Sequence, residues 1–117
     1  MDALENLDVW KRSCRLSVNI YKLTEENREY SFKDQVTRSA LSIASNIAEG
    51  YERGSVKERI RFCNIAKGSC GELWTQLLIG IEAGFLEKEK THELVKEAQE
   101  ISKMLHGLIK YFQKDLA

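Results

Sequence analysis

Residues 54–84, GSVKERIRFCNIAKGSCGELWTQLLIGIEAG, decide the fold. The stretch opens with the capping box Ser55-Val56-Lys57-Glu58, in which a serine and a glutamate three residues later satisfy the free N–H groups of a helix start. Apolar residues then recur three or four positions apart, as in an amphipathic helix, and Gly84 supplies a C-terminal cap. The pattern predicts a helix over residues 56–83, about 42 Å long at 1.5 Å per residue.

Three further helices are predicted around this one. Periodic apolar residues indicate helices over 6–24, 31–52 and 87–114. Asn6 or Asp8 is the expected N-cap of the first helix, and Ser31, with Asp34 three residues later, that of the second. The connections are short, so helices adjacent in sequence should run antiparallel. The absence of proline suits long helices joined in this way. We expect one all-α domain over residues 1–117, an antiparallel up-down-up-down four-helix bundle.

The predicted first helix has more apolar surface than one bundle face can bury. It carries two apolar stripes about 140° apart: Leu7, Trp10, Cys14, Val18 and Tyr21 form the first, and Val9, Leu16, Ile20 and Leu23 form the second. In the third helix, Gly68, Gly71 and Gly80 lower helix propensity, which indicates close contact with a neighbour. A monomer would expose the excess apolar surface of the first and third helices, so we expect a homo-oligomer.

Composition limits the classes of protein that need considering. Lys+Arg and Asp+Glu balance at 18 each, whereas a dedicated nucleic-acid binder usually has a basic excess. The three cysteines form no Cys-x-x-Cys pair and indicate reduced core thiols in a cytoplasmic protein. No run approaches the roughly 18 apolar residues that a membrane span needs, so we expect no membrane association.

No pattern typical of catalysis is present. A carboxylate-bridged di-iron site in a helix bundle needs two Glu-x-x-His motifs, but the sequence has one, Glu89 to His92, on the solvent side of its helix. Neither histidine falls on the apolar face beside a cysteine or serine, and phosphate-loop and dinucleotide motifs are absent. We therefore predict no catalytic, metal or cofactor site and no small-molecule substrate.

Two polar groups of residues are candidates for function. The first, the polar seam, comprises Arg38, Asn46 and Glu49 on the second helix and Ser69, Glu72 and Gln76 on the third. We expect it to be buried, with Arg38 paired to Glu49 or Glu72, because buried charges require partners. Two interpretations stay open: a structural network that sets helix register or a subunit contact, and a ligand or partner site.

The second group is a basic patch. Arg53, Lys57 and Arg61 are spaced four apart, with Arg59 and Lys67 nearby, and residues 28–67 contain eight basic and five acidic side chains. In a monomer, a solvated helix face explains the patch. In a ring-shaped oligomer, the repeated patches would attract phosphates without sequence specificity.

Several runs of residues together form a recognisable pattern over nearly the whole chain. They are Leu7-Asp8-Val9-Trp10, Ile20-Tyr21-Lys22-Leu23-Thr24, Ser45-Asn46-Ile47-Ala48-Glu49-Gly50, Gly68-Ser69 and Glu72-Leu73. In these runs the sequence resembles the bacterial four helix bundle protein family, also called the 23S rRNA intervening-sequence proteins. The resemblance implies antiparallel bundles that assemble into ring-like homopentamers, without established enzymatic activity. A related branch serves as the accessory protein of diversity-generating retroelements and binds reverse transcriptase and nucleic acid.

Two hypotheses about function follow. The first is a non-enzymatic homo-oligomer that binds RNA or a ribonucleoprotein through Arg53, Lys57, Arg59, Arg61 and Lys67. The second is a protein–protein interaction scaffold without nucleic-acid binding.

Overall fold

Four α-helices make up the fold. The computed structural model describes residues 4–116, so residues 1–3 and 117 of the expected 1–117 domain lie outside it. A short 3-10 turn, Leu4–Asn6, precedes α1 (Asp8–Thr24), α2 (Tyr30–Arg53), α3 (Val56–Glu82) and α4 (Lys88–Lys114). Each helix begins and ends within two residues of its predicted bounds, and the described range contains no strand. The all-α fold with four helices is confirmed.

The first two helices begin differently from the prediction. Leu7 is the N-cap of α1 and Glu29 that of α2, and neither cap side chain hydrogen-bonds to its helix. Asn27 instead organises the turn before α2, accepting a hydrogen bond from Glu29 N at 2.9 Å. It also donates one to the carbonyl of Phe85 at 2.8 Å. The predicted caps Asn6, Asp8 and Ser31 are therefore wrong. For α2 the reason is that the preceding turn depends on a distant carbonyl, which local sequence does not reveal.

The ends of α3 follow the sequence closely. Ser55 is its N-cap, and the serine hydroxyl accepts a hydrogen bond from Glu58 N at 3.1 Å. Gly84 follows the helix with a φ of 78°, the left-handed conformation that favours glycine after a helix end. Glu87 then caps α4, accepting hydrogen bonds from Glu89 N and Lys90 N.

The four helices surround one apolar core. Each helix packs against its neighbours in the chain, and α1 also packs against α4. Of the expected apolar seam of α4, Ala98, Ile101, Leu105 and Phe112 are buried, and Leu94 and Leu108 are partly buried. The Arg12 side chain donates to both oxygens of the Glu97 carboxylate, at 2.9 and 2.6 Å, and so ties α1 to α4. This hydrogen bonding raises the pKa of Arg12.

The two apolar stripes of α1 have different environments. Val9, Leu16 and Ile20 of the second stripe are buried in the core. The first stripe becomes more exposed along the helix, and its last members, Val18 and Tyr21, are 50% and 46% exposed. Leu41 of α2 lies with Tyr21 along one shallow depression and is 49% exposed. A single chain therefore leaves the apolar side chains of Val18 and Tyr21 on α1 and Leu41 on α2 uncovered.

Only one of the three glycines in α3 makes the expected close contact. A Cβ atom at Gly80 would lie 2.5 Å from Phe32 Cζ and 2.7 Å from Leu86 Cδ1. At Gly68 it would meet nothing within 4 Å, and at Gly71 only the Trp74 ring, at 4.0 Å. The expectation of close packing is therefore wrong for Gly68 and Gly71 within the chain, because they lie on the outward side of α3.

Hydropathy along the helices bears on membrane insertion. None of the helices between residues 4 and 116 combines the length and apolar character required to cross a membrane.

Candidate nucleic-acid interface

The arginines of the predicted basic patch are largely neutralised within the chain. Arg53 forms ion pairs with Glu49 at 2.9 Å and with Glu58 at 3.1 Å. Arg61 lies 3.4 Å from the same Glu58 carboxylate. Both guanidinium groups also stand 4.8 Å from the centre of the Phe62 ring. The hydrogen bond to Glu49, followed by that to Glu58, raises the pKa of Arg53. These arginines already have carboxylate partners that a phosphate would need to replace.

The remaining residues of the patch lie in different places. Arg59 stacks on Tyr51, with 4.2 Å from the guanidinium carbon to the ring centre, and lies 5.6 Å from the Phe112 ring centre. Lys67 lies against α4, with its Nζ 3.2 Å from Nδ1 of His106, and Lys57 is exposed. The five residues therefore do not form one surface, because successive positions on a helix point in different directions.

The polar seam is partly assembled. Ser42, which lies between Arg38 and Asn46 on α2, hydrogen-bonds to the Ser69 hydroxyl across the helix contact at 2.9 Å. The amide of Asn46 donates to the carbonyl and the hydroxyl of Ser42, at 2.8 and 2.9 Å. Asn46 and Ser69 are thus brought together through Ser42. This network supports the structural interpretation, since its donors and acceptors satisfy one another.

The charged members of the seam are not buried. Arg38, Glu49 and Glu72 are exposed in the chain, and the expected pairing of Arg38 with Glu49 or Glu72 is wrong. Glu49 pairs with Arg53, one turn away, whereas Arg38 and Glu49 are eleven residues apart, roughly 16 Å along the helix. Glu72 accepts a hydrogen bond from Ser39 at 3.3 Å. The Oε1 atom of Gln76 is buried without a hydrogen bond within the described range.

A more concentrated basic surface lies on α3 and α4, and we call it the lysine face. It comprises Lys67, Lys103, His106 and Lys110. Residues 101–114 contain three lysines, one histidine and no acidic side chain. Lys103 and Lys110 are seven residues apart and therefore share one side of α4, and both are exposed. His106 lies within one turn of each.

The lysines of this face are not neutralised by carboxylates. In the part of the chain that the structure describes, no ion pair involves Lys67, Lys103 or Lys110. The acidic residues of α4, among them Glu93, Glu97 and Glu100, all precede residue 101. The helix dipole attracts cations only to the last turn of a helix. Lys103 lies eleven residues before Lys114, the last residue of α4, so the dipole does not explain its position.

Sequence reasoning missed this surface because it considered the charged residues that flank the apolar seam of α4 between Glu93 and Lys103. Glu93, Lys96, Glu97, Glu100 and Lys103 nearly balance in sign, which indicated a solvated helix face. The signal was present in the order of the charges: every acid of the helix lies in its first half, and the lysines at 103 and 110 are one heptad apart.

The cysteines and the Glu89–His92 pair are the residues of interest for catalysis or metal binding. Cys63 and Cys70 are buried, and desolvation raises the pKa of the Cys63 thiol to about 11 and that of Cys70 to about 12. Thiols of such high pKa are poor nucleophiles at neutral pH. Glu89 is exposed and His92 is half-buried. Among the described residues, no group of three His, Cys, Asp or Glu side chains is arranged to hold a metal ion.

Comparisons with known proteins identify the family. A family model described as 23S rRNA-intervening sequence protein matches residues 5–107. The chain belongs to the 23S rRNA-intervening sequence protein family. Membership in this family confirms the resemblance in the runs between Leu7 and Leu73. The matched range includes the polar seam, Lys67, Lys103 and His106, whereas Lys110 lies beyond it.

The chain is also similar to a solved structure. That structure, a crystal structure at 1.70 Å, is of a protein with unknown function from the S23 ribosomal protein family of Bacteroides thetaiotaomicron VPI-5482. The two sequences are 30% identical, and the match covers 87% of this chain and 98% of that one, with a TM-score of 0.80. A search of curated proteins gave no match.

Proposed function

We propose that this protein is a non-enzymatic, cytoplasmic member of the 23S rRNA-intervening sequence protein family that binds RNA or a ribonucleoprotein through the lysine face. One observation carries the proposal: Lys103 and Lys110 share one side of α4 within residues 101–114, a stretch that contains no carboxylate. Lys67 of α3 adds a further cation beside His106.

Lysines without carboxylate partners are suited to phosphate contact. An exposed ammonium that meets a phosphate releases the counterions condensed on the nucleic acid, and this release favours binding at low salt. An arginine already held by two carboxylates gains less, because the phosphate must displace them. The zero net charge of the chain is an average, so it does not oppose a local positive surface. The family name also links its members with 23S rRNA.

Two double variants with equal charge change test the location of the site. We expect Lys103→Glu with Lys110→Glu to weaken RNA binding about tenfold or more at low salt, because two phosphate contacts become repulsive. The salt dependence should also flatten by about 1.4 in log–log slope for single-stranded RNA, about 0.7 for each lost contact. The matched control, Lys57→Glu with Arg61→Glu, should have a much smaller effect. Fluorescence anisotropy at two or more salt concentrations measures both quantities.

The control variant also decides between the two basic surfaces. Equal losses in both variants would indicate a general charge effect and would contradict a site on the lysine face. A loss confined to the Lys57 and Arg61 variant would place the contact on the predicted basic patch instead. If the unmodified protein binds no RNA even at low salt, the nucleic-acid proposal fails.

We also propose that the four helices are arranged up-down-up-down. The connections are residues 25–29, 54–55 and 83–87, while the domain is 47 Å long. Five residues span at most about 18 Å, so they cannot return the chain to the same end of the domain. This favours an up-down-up-down bundle in which each helix runs antiparallel to the next.

The proposal also includes self-association into a ring-like homopentamer. The exposed apolar side chains of Val18, Tyr21 and Leu41 support docking between copies, since exposed apolar surface commonly marks an interface. This surface lies on α1 and α2, whereas the lysine face lies on α3 and α4. Assembly through the apolar surface would leave the lysines of every copy accessible.

The same apolar surface supports an alternative function. If it receives a different protein, the chain is an interaction scaffold without nucleic-acid binding. A partner that co-purifies after nuclease treatment and in high salt would favour the scaffold. A partner that is lost under both conditions would favour the RNA proposal, because phosphate contacts are weakened by salt.

A further inference from the structure

A shallow depression in the lysine face has the composition of a phosphate-binding site. Lys67 of α3 and Ser102, Lys103 and His106 of α4 line it. These side chains offer two ammonium groups, an imidazole and a hydroxyl, and none is a carboxylate. Ser102 and His106 are four residues apart and share one side of α4, while Lys67 approaches from the neighbouring helix.

The contact between Lys67 and His106 sets the donors of the depression. Lys67 Nζ lies 3.2 Å from Nδ1 of His106. An ammonium can only donate hydrogen bonds, so Nδ1 accepts and the neutral ring carries its hydrogen on Nε2. Lys67 keeps two further N–H donors, and His106 keeps one. Both side chains can therefore donate to a bound oxyanion without breaking their mutual contact.

Ser102 adds a hydroxyl group to the depression. Its side chain is only 9% exposed, and its hydroxyl makes no hydrogen bond anywhere between residues 4 and 116. Ser102 Oγ is not among the described side-chain atoms that are fully buried without a partner, so the hydroxyl is open to solvent within the depression. Ser102 thus retains a donor at the base of the depression.

We propose that this depression binds a phosphomonoester, the terminal phosphate of an RNA strand. Two ammonium groups match the two negative charges of a phosphomonoester dianion, whereas an internal phosphodiester carries only one. The inference deepens the proposed function, since it assigns one position on the lysine face to a strand end. A strand would continue from there towards Lys110, about 10 Å further along α4.

The first experiment uses inorganic phosphate as the probe. Titration at constant ionic strength is followed by the imidazole proton NMR signals of the full-length protein. The His106 signal should shift and saturate, while His92 serves as an internal reference 14 residues, or roughly 21 Å, away on the same helix. Lys67→Met and Ser102→Ala should each weaken binding, by about tenfold for the lysine. Lys96→Met, on the same helix outside the depression, should leave it unchanged.

The second experiment compares two oligonucleotides of one sequence, one with a 5′-phosphate and one with a 5′-hydroxyl. The phosphorylated strand should bind more tightly, and Lys67→Met should remove the difference. Equal binding of the two strands, or equal shifts of His106 and His92 with phosphate, overturns the inference. Phosphate binding without any RNA binding would retain the site and refute the proposed function. RNA binding through Lys103 and Lys110 with no preference for the phosphorylated end would retain the proposed function and refute the phosphate site.

Discussion

Gly50 lies where the backbone of α2 approaches that of α3. A Cβ atom at this position would lie 2.9 Å from Phe62 Cβ, 3.2 Å from Arg59 Cα and 3.2 Å from the Glu58 carbonyl oxygen. Two of these three atoms belong to the backbone of α3, which cannot move aside as a flexible side chain can. The absence of a side chain at Gly50 therefore sets the distance between the two helices.

We expect Gly50→Ala to destabilise the fold by about 1–3 kcal/mol, as overpacking commonly does. The matched change Gly107→Ala introduces a Cβ that meets nothing within 4 Å. It should stabilise α4 by up to about 1 kcal/mol through helix propensity. Urea unfolding at one fixed protein concentration measures both. Equal effects of the two substitutions would contradict the packing argument.

The buried thiols make stability depend on alkaline pH. Burial raises the pKa of Cys63 to about 11 and that of Cys70 to about 12, above the ordinary value of 9.0. Above pH 9 the unfolded chain loses these protons before the folded chain does. The contribution of the two thiols to folding stability is therefore fully present below pH 9, and it is lost as the pH rises towards 11 and 12.

We expect the free energy of unfolding to fall by about 1 kcal/mol per thiol for each pH unit above 9. The variant with Cys63→Ala and Cys70→Ala should show a shallower decline, although it is less stable at neutral pH because of lost packing. Chemical denaturation between pH 8 and 11 gives the slope of unfolding free energy against pH for both proteins. Lysine and tyrosine titration affects both proteins equally and so cancels from the difference. Equal slopes would contradict the prediction, because they would show that these thiols ionise as readily in the folded protein as in the unfolded chain.

At the scale of an element, the start of α3 depends on one side chain. The Ser55 hydroxyl accepts a hydrogen bond from Glu58 N, which satisfies one of the free N–H groups at the helix start. We expect Ser55→Ala to cost about 1 kcal/mol of stability. Ser31→Ala is the control, because Ser31 is exposed and α2 begins without a side-chain cap. Thermal unfolding of the two variants should separate them, and a comparable loss at Ser31 would argue against the assigned caps.

These two serines also show where prediction of an element succeeds. The capping box at Ser55 involves residues three apart, so local sequence contains the whole interaction. The start of α2 instead depends on Asn27, whose amide donates to Phe85 O, 58 residues away. Residues that are close in sequence could not reveal a cap of that kind. The helices themselves were predictable because apolar periodicity is also local.

At the scale of the whole molecule, the uncovered surface between α1 and α2 predicts assembly. We expect Val18→Glu with Leu41→Glu to shift the protein towards a single copy, because burying a carboxylate at an interface is unfavourable. The mass in sedimentation should fall from a multiple of 13.5 kDa, five times that value for the proposed ring, to one copy.

The control is Leu116→Glu, at an exposed leucine near the chain end, which should leave the assembly intact. Circular dichroism should show that the helices remain in both variants. If the unmodified protein already sediments as one copy at micromolar concentration, the proposed ring is wrong. The lysine face does not depend on that outcome, since its residues come from a single chain.

The sequence by itself determined the four helices, the cap at Ser55 and the family, because periodic patterns and short motifs depend only on nearby residues. The tertiary structure alone decided which charges remain available. Arg53 and Arg61 are spaced like a binding patch, yet Glu49 and Glu58 neutralise them, while Lys67 meets His106 from 39 positions away. Electrostatic attraction acts through space and falls with distance, so a charge's partner is known only when the helices have packed.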